Sequence, residues 1–133
     1  PLADPFDAVE RMLRENAGGY DVALLDVHAE ATSEKAAIAR YFDGRIAAVW
    51  GTHTHVQTAD ARILPRGTGF ITDLGMTGPV ESILGVESGI VIEKLRTHMP
   101  VKFEIPEGEI RSTGALFTLD RDLRVTGAAG VTL

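Results

Sequence analysis

The stretch Asp21-Val22-Ala23-Leu24-Leu25-Asp26-Val27-His28, answered downstream by Ile46-Ala47-Ala48-Val49-Trp50-Gly51-Thr52-His53-Thr54-His55, decides the fold. Residues 20–27 and 46–50 are apolar runs of strand length bounded by glycines and polar residues, which predicts two strands buried on both faces. Between them Thr32 or Ser33 is placed to cap a helix with Glu34 in its first turn. Ala37, Ile38, Tyr41 and Phe42 fall on its inward face, and Asp43-Gly44 stops it. Strand, helix and strand in that order predict a parallel pair joined by a right-handed crossover. Functional groups in such sheets gather at the carboxyl ends of the strands, where His28 and the His53/His55 pair lie.

Outward from this unit, Asp4 as N-cap and Pro5 at the first helical position predict an opening helix. Its stripe is Phe6, Val9, Met12 and Leu13, and Gly18-Gly19 ends it. Residues 57–89 are rich in Gly, Pro and Thr and predict a long functional loop region with one short strand, 69–74. Residues 88–97 read two ways: Gly89-Ile90-Val91-Ile92 leans towards strand, and Glu93 to Thr97 towards a helical turn. The remainder predicts strands over 101–105, 109–119 and 123–133, with turns at Pro106-Glu107-Gly108 and Asp120-Arg121-Asp122. The expected fold class is α/β (α+β), a βαβ start followed by a β-meander, in a single domain over residues 1–133.

With 44% hydrophobic residues in 133, the chain can bury the core of one ordinary domain. A formal charge of −6 argues against a grip on duplex nucleic acid, yet suits a small phosphorylated ligand held through a metal. The absence of cysteine rules out disulfides and thiolate metal ligands and fits a reducing cytosol. No apolar run reaches the ~18 residues of a membrane span, and no signal peptide is evident, so a cytoplasmic location is expected. The start at Pro1-Leu2-Ala3-Asp4 rather than methionine reads as processing, an introduced boundary or a fragment.

On an extended segment His53 and His55 would point to the same side, with α-carbons roughly 6 to 7 Å apart. That spacing suits ligands to two neighbouring metals or two ligands to one; hydrogen-bonded loop histidines are the plain alternative. His28, at the neighbouring strand end, strengthens the metal reading. Asp26 shares its side and is a candidate acceptor or ligand, while Glu30 reads as orienting a ligand or, by default, as interacting with the following helix N-terminus. Asp60 is expected to pair with Arg62 in solvent, and Asp73 reads equally as a turn residue or a site residue. His98 belongs to no cluster and is expected to be exposed. Three imidazoles do not complete a two-metal centre, which needs a bridging carboxylate; the site is mononuclear, or part of it lies elsewhere.

Three motifs in order carry a resemblance: Asp26-Val27-His28-Ala29-Glu30-Ala31-Thr32-Ser33-Glu34-Lys35, then Gly51-Thr52-His53-Thr54-His55-Val56-Gln57-Thr58-Ala59-Asp60, then Thr72-Asp73-Leu74-Gly75-Met76-Thr77-Gly78. They resemble the successive signatures of the YmdB-like bacterial metallophosphoesterases of the calcineurin-like superfamily. The resemblance runs over nearly the whole chain but only over the carboxyl-terminal half of that family's protein. It implies half of an αββα sandwich and two divalent metal ions, Fe or Mn with Zn also compatible. His28 and His53 match the two histidines of one metal, His55 matches a ligand of the other, and His98 matches none. Gln57, Thr58 and the glycine-rich loop at Asp73 are the implied walls of the substrate pocket.

The implied activity is hydrolysis of cyclic nucleotides such as 2′,3′-cyclic AMP by attack of metal-bound hydroxide on phosphorus. The bridging Glu, an Asn ligand and the catalytic His are implied to lie in an amino-terminal half that this sequence does not contain, so the chain alone is expected to be nearly inactive. That half, and a second copy in a homo-oligomer, are the expected partners besides the substrate. The competing readings are a noncatalytic metal-binding or protein-interaction domain and a mononuclear hydrolase complete in itself.

Overall fold

The computed structural model describes residues 3–133. Helix α1 covers Pro5–Glu15 and is started as its sequence predicts: the Asp4 carboxylate accepts from the amides of Phe6 and Asp7, with Pro5 at the first position. Strand β1 (Leu24–His28), helix α2 (Thr32–Tyr41) and strand β2 (Ala48–Thr52) form the expected βαβ unit, with β1 and β2 parallel. Strand β4 (Gly69–Ile71) pairs parallel with β2, and the short β3 (Arg62–Ile63) pairs antiparallel with β4 at the edge. The order β1-β2-β4-β3 puts the ends of β1 and β2 side by side, His28 opposite Thr52.

A second sheet, β5 (Thr77–Pro79), β6 (Ile110–Leu119) and β7 (Val125–Thr132), is an antiparallel meander. It meets the first sheet through Phe117, which stacks 6.4 Å from Trp50 and lies against Gly69, where an added Cβ would stand 2.5 Å from the ring. Beneath the first sheet, Ile38, Ala39 and Phe42 of α2 pack on Val27, Val49 and Phe70, and Phe6 of α1 stacks on Phe42.

Several expectations are corrected. Helix α2 begins at Thr32 after Ala31, whose side chain makes no cap; the carbonyl of Ala31 instead accepts from Glu34 and Lys35. Its buried face carries Lys35, Ile38, Ala39 and Phe42, while Ala37 and Tyr41 are exposed. Strand β1 starts at Leu24 because pairing to β2 starts there, and it is not buried on both faces: it forms the sheet edge, and Leu24 is 58% exposed. Residues 88–97 are a helix, α3 (Ser88–Thr97), since the Glu87 carboxylate caps the Gly89 and Ile90 amides and no strand offers them a partner. Residues 101–105 are not a strand; β5 and β7 occupy both edges of β6.

Candidate metal-binding site

The carboxyl ends of β1 and β2 bring His28 and His53 into contact. Thr52, facing His28 across the parallel register, is 3.0 Å from His28 Nδ1 and 3.0 Å from Asp26 Oδ1. An ionised carboxylate only accepts, so the Thr52 hydroxyl hydrogen goes to Asp26 and its oxygen accepts from His28 Nδ1–H. That assignment leaves the lone pair of His28 on Nε2. His53 Nε2 lies 3.3 Å from the exposed Glu30 carboxylate. His28 Nε2 and His53 Nδ1 face each other at 3.2 Å, a separation that suits a hydrogen bond from one ring to the other or, with both nitrogens deprotonated, two ligands on one ion. Two imidazoles bound at about 2.0–2.1 Å to one ion separate their nitrogens by roughly 2.8–3.0 Å in cis octahedral and 3.3–3.4 Å in tetrahedral geometry, so the pair has the bite of a chelate. Asp26, through Thr52, and Glu30 stand behind the imidazoles; of the two roles open to Glu30, its place is beside His53.

His55 stands apart. After Thr52 the backbone leaves the extended conformation: His53 has φ 113° and His55 φ 64°, so the two side chains are set by a turn and not by strand alternation. His55 Nδ1 donates to the Leu84 carbonyl at 3.1 Å, which frees Nε2 as a lone pair. Among the described residues no group of three or more His, Asp, Glu or Cys side chains closes into a metal cage. The donor set nevertheless fits a divalent ion: imidazole nitrogens, with the His28 and His55 rings each oriented by a hydrogen bond through Nδ1. His98 is exposed at the end of α3, as expected.

The three residues expected on the substrate side take different places. Gln57 lines a hollow of about 130 Å³ beside His55, shared with Met76, Arg111 and Thr113, and its amide donates to the carbonyls of Gly114 and Val131. Thr58 donates to Asp60. Asp73 lies behind the histidine turn with no exposed surface, accepting from Lys35 Nζ at 2.8 Å, Thr54 N at 3.0 Å and Gly75 N at 2.9 Å. Burial raises the Asp73 pKa, but the hydrogen bonds from Lys35, Gly75 and Thr54 outweigh it and hold the carboxyl below its ordinary value. Asp60 does pair with Arg62 at 3.1 Å, yet its carboxylate is chiefly a loop organiser, accepting from Thr58 and from the amide and hydroxyl of Thr72. Sequence reasoning missed Thr52 and Lys35; the available signal for Lys35 was a lysine one turn before Ile38 and Ala39 on the buried face. A hollow of about 490 Å³ opens at the opposite end of the sheet near Tyr20, Arg45 and Arg124, with no histidine in its lining.

The architecture is that of one half of an αββα metallophosphoesterase sandwich, with histidines at adjacent strand ends. The chain belongs to the YmdB-like protein family, whose model matches residues 1–129. It is 49% identical over 120 residues to a 2′,3′-cyclic-nucleotide 2′-phosphodiesterase of Bacillus subtilis, covering 90% of this chain and 46% of that protein. It is 36% identical over 118 residues to a putative phosphatase/phosphodiesterase of Mycoplasma pneumoniae, covering 88% of this chain and 41% of that one. Among solved structures, a hypothetical protein of Thermus thermophilus superimposes with a TM-score of 0.93 at 43% identity, over 100% of this chain and 52% of that one. A phosphatase of Mycoplasma pneumoniae does so with 0.91 at 32%, over 100% and 47%. The chain therefore spans about half the length of the relatives it matches. Among the described residues no helix is long and apolar enough to cross a membrane.

Proposed function

We propose that this chain supplies one side of a dinuclear metal centre in a cytoplasmic phosphodiesterase acting on cyclic nucleotides such as 2′,3′-cyclic AMP. The observation that carries the reading is the 3.2 Å approach of His28 Nε2 to His53 Nδ1 at the ends of two adjacent strands. These two would hold one ion and His55 Nε2 the other. Bound divalent ions, Fe or Mn with Zn also compatible, would supply the positive charge that stabilises phosphoryl oxygens and lowers the pKa of a water nucleophile. This chain's residues hold and orient: the Thr52–Asp26 relay keeps a proton on His28 Nδ1, the Leu84 carbonyl keeps one on His55 Nδ1, and the Glu30 carboxylate stands 3.3 Å from His53 Nε2. Gln57 borders the substrate space beside His55, while Thr58 and Asp73 shape it by holding the loop. A bridging carboxylate and the acid that protonates the leaving oxygen would come from an amino-terminal half of the kind the longer relatives have.

The test is metal content and hydrolysis of 2′,3′-cyclic AMP and bis(4-nitrophenyl) phosphate, by the 133 residues alone and by a form extended upstream. Metal and activity in the longer form only, both lost in His53→Ala, are expected. Full activity from the 133 residues would overturn the division of the site, and a metal-free, inactive longer form would overturn the phosphodiesterase reading. The alternative, a noncatalytic interaction domain, draws on the exposed apolar side chains of α3, where Ile92 is 49% and Leu95 67% exposed.

A further inference from the structure

Lys35 and Asp73 form an ion pair in which neither side chain has any exposed surface. Such a pair is a poor source of stability, because removing both charges from water offsets most of their attraction and apolar residues of similar volume serve as well. Its geometry points to another use. The Asp73 carboxylate reaches the backbone amide of Thr54, the residue between His53 and His55, at 3.0 Å. Lys35 reaches Asp73 from α2 by passing over Gly51, where an added Cβ would stand 2.5 Å from Lys35 Cδ. Helix α2, strand β2 and the segment after β4 therefore converge on one amide.

The turn at that amide is strained, with left-handed backbone at His53 and His55. Non-glycine residues hold such conformations only where their surroundings over-determine them, and the cost is of order 1–3 kcal/mol at each position. Asp73 is the one side chain among the described residues that anchors the amide between the two histidines.

We propose that the Lys35–Asp73 pair is a positioning brace that sets the separation of His53 from His55 and so makes both halves of the metal centre available together. The proposal rests on the metal-site reading above. Lys35 keeps the Asp73 carboxylate ionised and aimed; the carboxylate fixes Thr54; Thr54 fixes the two imidazoles flanking it. The two residues touch no ligand and act only through the turn.

Two double variants in the longest natural form of the protein separate positioning from packing. Lys35→Met/Asp73→Leu removes the charges and the acceptor for Thr54 N–H while keeping the volume apolar; Lys35→Met/Asp73→Asn removes the charges but keeps a carbonyl acceptor. Titration with Mn2+ is expected to show about 10–100-fold weaker binding in the Leu variant, as for other residues that orient metal ligands, and recovery of most of that loss in the Asn variant. Mn2+ binding by a folded Leu variant within twofold of the parent would overturn the brace, as would an Asn variant that loses as much as the Leu variant. Hydrogen exchange of the metal-free parent gives a readout that needs neither variant: the Thr54 amide should be protected, and a fast Thr54 amide would also sink the proposal. A parent that binds no Mn2+ yet protects Thr54 would instead remove the metal-site reading on which the brace depends.

Discussion

Substituting Gly51 by alanine tests how closely the histidine turn is tied to the sheet. A Cβ built at Gly51 would lie 1.8 Å from the Thr72 carbonyl oxygen and 2.5 Å from Lys35 Cδ, whereas real Cβ contacts essentially never fall below 3.0 Å. The lysine methylene can swing aside, but the carbonyl belongs to the segment that continues β4 and has to retreat by ~1.2 Å. That retreat breaks the hydrogen bond from Leu74 N to Gly51 O, now 2.9 Å, and draws Asp73 away from Thr54. Overpacking of this kind costs about 1–3 kcal/mol and a lost buried hydrogen bond about 1–1.5 kcal/mol. Gly51→Ala should therefore destabilise by about 3–4 kcal/mol, enough to move a urea midpoint by more than ~1 M. Urea unfolding followed by circular dichroism measures it, with Gly114→Ala as control. An added Cβ at Gly114 meets only Val131 Cγ2 at 3.8 Å, so that variant should stay within about 0.5 kcal/mol of the parent. A loss below ~1 kcal/mol at Gly51 would refute the claim that the backbone there has no room to give.

Thr52→Val keeps the shape of the side chain and removes the hydroxyl that joins His28 Nδ1 to Asp26, so it should weaken Mn2+ binding by about 10-fold or more while the fold persists. Unchanged affinity by calorimetric titration would mean the His28 tautomer is set elsewhere. Asp60 supplies a pH dependence: burial raises its pKa, but hydrogen bonds from the Thr58 and Thr72 hydroxyls and the Thr72 amide, with Arg62 nearby, bring it below the ordinary value. A folded pKa below the unfolded one, about 3.9, contributes stability that is present above that pH and lost as pH falls through the folded value. Melting temperatures between about pH 2 and 7 should show a shallower acid limb for Asp60→Asn than for the parent; parallel limbs would exclude this carboxylate as a source of acid sensitivity.

The βαβ unit was legible because its apolar runs, its turn residues and the short spacing between them all agree, and those are local properties. The opening helix was legible for the same reason, since Asp4 and Pro5 act within one turn of themselves. Residues 88–97 were not: Gly89-Ile90-Val91-Ile92 is a strand by composition, and it is helical because Glu87 caps it and β6 already has both neighbours. Burial of β1 was overestimated because an apolar run does not say whether its strand is central or at an edge.

At the site, chemistry was readable and geometry was not. The identities of His28, His53 and His55, and their position after two strands, follow from residue types and from the direction of a parallel sheet. The 3.2 Å approach of His28 to His53, the turn that separates His55, and the proton positions on His28 and His55 depend on groups distant in sequence: Thr52 facing His28, Leu84 facing His55, and Asp73 with Lys35 behind Thr54. Local patterning determined which side chains could bind a cation. Only the tertiary structure decided which nitrogens face one another, because hydrogen bonds and ion pairs spanning 19 to 38 residues hold the rings, and neither periodicity nor propensity carries that information.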